Sequence, residues 1–292
     1  MKIKIVRNQD QCRKIWRSLS PRKRVFDIWD FRACFHNSST SRPYFLVAYD
    51  KDRLHGMVPL SLLKGKNKYI YFGGWFPERN SFFMRDKTDL KKLLDRCPKN
   101  TLIEGIDPEE RPHYNFIEDE YTYYLNLPKY DNNFDTYFAS IDKKKQKEIA
   151  RNVKDLPKYT VSYNRTEDFE RLVELNIKQY DGDSLFVNKE LKESLFNLVA
   201  TAKKKRALQM VSVRVKGKVE AVDLGIMTDG WYSTIIGGAN SQKIPNIGKL
   251  MTMLDIKNAI RRKAKYVDFL ATSGYWKSIW NFDKEMLLKF SN

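Results

Sequence analysis

The pattern of apolar and polar positions holds one block twice. Residues 44–74 read as an apolar strand, a polar turn at 50–53, a second apolar strand, a turn at 64–67 and a third strand ending in Gly73-Gly74. Residues 208–238 follow the same order, with turns at 216–218 and 228–230 and the ending Gly237-Gly238. The interval between copies is about 165 residues, the size of a domain rather than of a solenoid repeat. Identity between the copies is low; what they share is the order of strands, turns and Gly-Gly.

Around the first copy the periodicity predicts helices over 9–19 and near 89–96, a short strand at 101–106 and a closing strand at 121–127. Pro128 and the polar run Asp131-Asn132-Asn133 mark a boundary. Beyond it the pattern predicts one long helix over 134–156, stopped by Pro157, then a strand at 159–163 and helices over 167–180 and 189–203. After the second copy come a loop at 239–247, a helix over 248–263, a buried strand at 266–270, a short helix around 276–280 and a final strand at 286–290. This is an α+β chain, with mixed, mainly antiparallel sheets and helices, in two domains spanning 1–127 and 128–292.

At 292 residues, 42% hydrophobic and 13% aromatic, the chain can bury two modest cores. It has no apolar run approaching ~18 residues, so no membrane-spanning helix is expected. Residues 1–11 lack the apolar core of a secretory signal, so a cytoplasmic location is expected. Cys12, Cys34 and Cys97 fit no metal-ligand spacing, and His36, His55 and His113 are scattered. That argues against a metal site and against a histidine-activated nucleophile. The net charge of +18 reflects either a general lysine excess or an anionic partner: cofactor phosphates, RNA or an acidic membrane surface. Lys144, Lys147, Arg151 and Lys154 stand at i, i+3, i+7 and i+10, one basic stripe on the predicted helix.

Candidate chemistry gathers in the second half. A glycine at the start of the 248–263 helix, with Lys243 and Lys249 beside it, suits a pyrophosphate at the positive end of a helix dipole, or is an ordinary helix start. Asp268 lies within an apolar strand, where a carboxylate is costly unless it is paired or positions an amine. Asp223 has the same two readings. Lys277 reads as a neutraliser of phosphate or oxyanion, or as a solvated helix lysine. Tyr232 and Tyr275 read as proton donors to a leaving group or as packing aromatics. Lys147 and Arg151 read as phosphate ligands or as a solvated face. Asp181-Gly182-Asp183 lacks a third ligand and reads as a turn.

Three antiparallel strands feeding a loop, a helix and a returning strand resemble the GNAT acyltransferase fold. In that family the fourth and fifth strands splay, the pantetheine arm of acyl-CoA lies in the gap, and its pyrophosphate sits on the following helix. Lys243-Ile244-Pro245-Asn246-Ile247-Gly248 stands where the family has Arg/Gln-x-x-Gly-x-Gly/Ala, with Lys at the first position and Asn for the first glycine. A closer resemblance is to the duplicated-GNAT group, the BioF2-like acetyltransferase domain and the FemAB-type peptidyltransferases. It is carried by the basic helix, by Asn246–Leu250, by Val267-Asp268-Phe269 and by Ser273-Gly274-Tyr275-Trp276-Lys277.

The resemblance implies two tandem GNAT-like domains. The first would have lost its cofactor site, since Trp75–Arg79 after Gly73-Gly74 opens no glycine-led helix. In the second, it implies donor contacts from Gly238, Lys243, Asn246, Ile247, Gly248 and Lys249, and catalytic roles for Asp268, Lys277, Tyr275 and Tyr232. Lys147, Arg151, Asp223 and Trp276 would contact substrate. The donor would be acyl-CoA, such as acetyl-CoA, or aminoacyl-tRNA; the acceptor would be an amine, with no metal and with peripheral contact to an anionic membrane open. A rival reading is a non-catalytic RNA- or membrane-surface-binding protein on a degenerate GNAT scaffold.

Overall fold

The first copy of the repeated block folds as β2 (Ser41–Asp50), β3 (Arg53–Leu63) and β4 (Lys68–Tyr71), after β1 (Lys2–Val6), α1 (Gln9–Leu19) and α2 (Trp29–Arg32). Then come β5 (Phe83–Met84), α3 (Leu90–Leu94), β6 (Thr101–Ile106) and β7 (Ile117–Asn126). The computed structural model describes residues 1–271 and 274–292. They form two units, Met1–Thr122 with Glu285–Asn292, and Tyr123–Lys284.

In the first unit the sheet order is β1-β2-β3-β4-β6-β13, β13 being Asp283–Ser291, with β5 added to β3. Its core centres on Trp16, which is fully buried, stands edge-on to Phe83 at 5.0 Å, and donates its indole N–H to Asp27 O at 2.6 Å. β4 and β6 run parallel but pair only at Tyr69↔Thr101 and Ile70↔Leu102. Past that point β6 is taken by the chain's own Asn80. The Asn80 N–H donates to Gly105 O (2.8 Å), its carbonyl accepts from Asp107 N (2.9 Å), and its amide Nδ2 donates to Glu104 O (2.7 Å). Gly73 and Gly74, at φ 91° and 84°, turn the chain into this segment, a backbone conformation few other residues hold. The gap between the two parallel strands is therefore plugged.

The second unit holds α4 (Phe134–Ala139), α5 (Lys143–Lys154), β8 (Tyr159–Tyr163), α6 (Phe169–Tyr180), α7 (Lys189–Lys204), β9 (Leu208–Val215), β10 (Lys218–Thr228), β11 (Trp231–Ala239), α8 (Ile247–Arg261) and β12 (Tyr266–Asp268). Its strand order is β7-β12-β11-β10-β9-β8, β7 contributing its last residues. α8 and α5 bury one face, with Leu250, Met251 and Val153 against Val211, Val213 and Ala221. α6 lies on the opposite face.

Two expectations change. The helix expected over 134–156 is broken at residues 140–142, because Asp142 acts as an N-cap: its carboxylate accepts from Lys144 N and Lys145 N, each at 3.1 Å. The break lets Tyr137 of α4 and Ile149 of α5 join one buried cluster. The final strand, expected in the second domain, counts with the first unit, because Leu288 and Phe290 pair with Ile106 and Ile103 of β6.

Candidate active site

β11 and β12 are parallel and pair at only three positions, Trp231↔Tyr266, Tyr232↔Val267 and Ser233↔Asp268. β12 ends there while β11 runs on to Ala239, so the strands part, and the Thr234 hydroxyl donates to Asp268 O at 3.1 Å at the vertex. The Asn240 N–H donates to Glu220 O, which sets the hydrogen-bond phase between β10 and β11. In that phase Gly237 and Ala239 turn their backbone polar groups away from β10, towards the open edge. Both are occupied. Asn176 Nδ2 donates to Gly237 O at 2.6 Å, and Ala239 N donates to Gln179 Oε1 at 2.8 Å. Ser184 Oγ donates to Asn176 Oδ1 (2.7 Å) and fixes that amide. Asn176 and Gln179 are three residues apart on α6 and so lie on one face of it. Gly238 lets α6 come this close: a Cβ there would sit 2.7 Å from Asn176 N and 2.8 Å from Leu172 O.

The loop after β11 leads into α8 through Asn246, in the left-handed conformation at φ 67°. A Cβ on Gly248 would meet nothing within 4 Å, so the first turn of α8 faces open space. Ile247 is buried beneath it. Lys243 is paired with Glu220, which also accepts from Asn240 Nδ2 at 2.8 Å. Burial pushes the Glu220 carboxyl up, but Lys243 and Asn240 outweigh it and hold it below the usual range. Lys249 pairs with Glu148 of α5 at 2.7 Å, and Asn152 Nδ2 donates to Asn246 Oδ1 at 3.3 Å. The basic stripe of Lys144, Lys147, Arg151 and Lys154 is exposed, and none of the four forms an ion pair among the described residues. A depression of about 60 Å³ lies beside the loop, bordered by Lys178, Gln179, Asn240 and Gln242.

At the end of β12, Asp268 is buried and its Oδ1 accepts from Leu270 N at 3.0 Å, holding Leu270 at φ 60°. Lys277 is only 3% exposed: its ammonium donates to Leu270 O at 2.9 Å and Ala271 O at 2.6 Å, and lies 5.0 Å from the Tyr123 ring. It is therefore a buried strut of the turn rather than a solvated lysine. Tyr275 is 87% exposed, and Trp276 stands edge-on to Phe269 at 6.0 Å. Ser273, in the same motif, lies outside the described residues.

Residues 143–278 match the family model of the acetyltransferase (GNAT) domain. The chain carries a GNAT domain. Among solved structures, a crystal structure of FemX aligns over 100% of this chain and 98% of its own, with a TM-score of 0.65 and 10% identity. L-PGS from Bacillus licheniformis aligns over 97% and 91%, with a TM-score of 0.58 and 10% identity. A tandem GNAT protein from the clavulanic acid biosynthesis pathway aligns over 99% and 98%, with a TM-score of 0.56 and 8% identity. At these identities the likeness is one of fold, the double-GNAT fold. No curated protein matches the chain by sequence.

Within the GNAT domain, Asp223 and Asp255 of α8 form a hydrogen-bonded carboxyl pair. Asp255 also accepts from Tyr232 Oη at 3.0 Å, and Asn258 Nδ2 reaches Tyr232 Oη (3.3 Å) and Gln209 Oε1 (3.2 Å). Arg261 donates to Asn258 Oδ1 at 2.6 Å. Burial pushes the Asp223 carboxyl up to about 6 against the hydrogen bond from Asp255. Asp255 is raised well above the carboxylate range by burial first and then by the charge of Asp223. Burial likewise raises the Tyr232 phenol well above its ordinary value. Sequence reading singled out Tyr232 and Asp223 separately and missed Asp255, which stands four residues after Met251 and one before Ile256 on the core face of α8. A carboxylate at core spacing was the available signal.

Proposed function

We propose that the chain is an N-acyltransferase that moves an acyl group from acyl-CoA onto an amine, with the acyl carbon lying where β11 and β12 part. The parting after Ser233/Asp268, followed directly by the open, glycine-bearing first turn of α8, is the observation that carries this reading. The positive end of the α8 dipole suits the pyrophosphate, though Ile247 N and Lys249 N of its first turn already donate to Ile244 O and Asn246 O. Gly248 leaves room for it, and Lys249 borders the same turn. The match of residues 143–278 to an acetyltransferase domain supports acyl transfer. Catalysis would rest on positioning: amine and thioester held together in one orientation, with direct attack and no covalent enzyme intermediate. The Lys277 ammonium would hold the turn bordering this site rather than touch a phosphate.

One observation favours a second donor. The edge groups Gly237 O and Ala239 N, which a pantetheine arm would otherwise meet, are engaged by Asn176 and Gln179. An aminoacyl-tRNA donor needs no such edge, and its phosphates suit the exposed cations of α5. Calorimetric titration with acetyl-CoA and free CoA separates the two. Micromolar binding that disappears in Gly248→Trp supports the acyl-CoA reading. No heat at millimolar CoA, with retained affinity for aminoacyl-tRNA, supports the second.

A further inference from the structure

The second unit contains a carboxyl pair, Asp255 buried and Asp223 half-buried, that the fold does not need for its core. Two apolar side chains would fill the same space at lower cost, because an ionised carboxylate without a cation is among the least favourable buried groups. The residues facing Asp223 are Asp255 from α8, Tyr232 from β11 and Tyr180 at the end of α6, and none is cationic. Asp255 is 3% exposed and Tyr232 fully buried, whereas Asp223 is partly open to solvent. Asp223 is therefore the accessible member of the pair.

Its position is specific. Asp223 stands opposite Gly237 in the β10–β11 register, within the stretch of β11 that has parted from β12. The carboxylate lies over that glycine so closely that a Cβ at 237 would be 2.0 Å from Asp223 Oδ1. The chain thus forgoes a side chain at the parting and places a carboxyl there. Behind it, Asp255 is fixed by Tyr232, and Tyr232 by Asn258. Asn258 also holds Gln209, which is 2% exposed and whose Nε2 has no partner among the described residues. A hydrogen-bonded polar chain with an unfilled buried donor backs one accessible carboxyl beside the parted stretch of β11.

We propose that Asp223 and Asp255 form a proton-sharing carboxyl pair in which Asp223 takes the proton released by the attacking amine, with Asp255 and Tyr232 as positioning residues. The inference rests on the acyltransferase reading above. The amine nitrogen bonds to the acyl carbon and the carbon–sulfur bond of the thioester breaks. The proton lost from nitrogen passes to Asp223, and the pair, then doubly protonated, returns one proton to the departing thiolate. A base that titrates close to the working pH is suited to both transfers.

The test runs two measurements on the full chain and on D223N and D255N. The first follows aspartate carboxyl ¹³C shifts against pH. The second follows release of CoA thiol from acetyl-CoA, with methylamine as the acceptor, between about pH 5 and about pH 9, the range in which such a base titrates. We expect the wild-type pair to titrate as a coupled unit, and D255N, which removes the carboxyl O–H donated to Asp223, to leave Asp223 raised by burial or push it further up, now titrating as a single group. The acid limb of kcat/KM should follow that single titration, staying in place or moving up and never down. D223N should lose about 10²-fold or more in kcat and kcat/KM together, at wild-type affinity for acetyl-CoA. Two carboxyls titrating independently in the ordinary range overturn the proposal, as does D223N with wild-type kcat/KM and an unchanged pH profile. Failure of the wild type to bind acetyl-CoA overturns the acyl-CoA reading instead, and the carboxyl titration then decides the pair by itself.

Discussion

Asp223 keeps its proton to higher pH in the folded chain than in the unfolded one, because burial disfavours its charge. Between about pH 4 and pH 6 the folded state binds the extra proton, so the carboxyl lowers stability as pH rises through that window. Below it both states are protonated and the effect vanishes. D223N should accordingly melt above the wild type at pH 8, with the gap closing by pH 4; a gap independent of pH would contradict this, and a thermal scan at the two values reads it. Lys277 makes the opposite case. Replacing it by Met keeps the apolar stem but removes a charged donor from Leu270 O and Ala271 O, a loss of about 2 kcal/mol. K277M should therefore show both a lowered denaturation midpoint and reduced acyl transfer, since the turn it braces follows β12. Sequence alone could not tell this lysine from a solvated one: the type and spacing are the same, and only burial separates them.

At the scale of elements, most strands and helices were legible because their periodicity was strong. The predicted strand at 101–106 coincides with β6, and the helix over 9–19 with α1. β1 was missed because its alternation, Lys-Ile-Lys-Ile-Val, is short and lysine-rich, and it is fixed by pairing with β2. The two Gly-Gly endings look alike in sequence and do different work. Gly73 and Gly74 form a left-handed turn, whereas Gly237 and Gly238 are ordinary strand residues that admit Asp223 on one face and α6 on the other. Gly238→Ala should cost about 1–3 kcal/mol, because the atoms it meets are backbone of α6 and cannot rotate aside; a denaturation midpoint equal to wild type would show that α6 shifts freely. The basic stripe of α5 carries a separate expectation. If it tracks phosphates, K147E with R151E should weaken tRNA binding and flatten its salt dependence by about 0.7–0.9 per lost contact, as filter binding across a salt series would show.

Across the whole molecule, the duplication has diverged by what fills the gap between the two parallel strands of each unit. In the first unit Asn80 pairs along β6 and closes it; in the second, side-chain amides from α6 line it and the following helix turn stays open. The repeated order of strands made the duplication readable, but the plug was not, because an irregular segment such as 73–80 has no periodicity. Nor was the membership of β13, since a strand's partner is set by tertiary pairing rather than by its own pattern. Leu288 and Phe290 are buried in the core of the first unit, each contributing about 1.5–3 kcal/mol. Removing residues 285–292 should thus loosen the first unit, seen as faster hydrogen exchange in β6, while exchange in β9–β11 stays as it was.

The same pairing imposes an order on synthesis. The first unit is begun before residue 122 but lacks its last strand until residues 123–284 have been made. At ribosomal speeds of ~5–20 residues per second, that is a wait of roughly 8–30 s with the edge of β6 unpaired. The second unit, contiguous in the chain, is complete before the first can close. During that interval the nascent chain carries an unpaired strand edge, which is where holding chaperones would find a foothold and where crowding on polysomes would exact its losses.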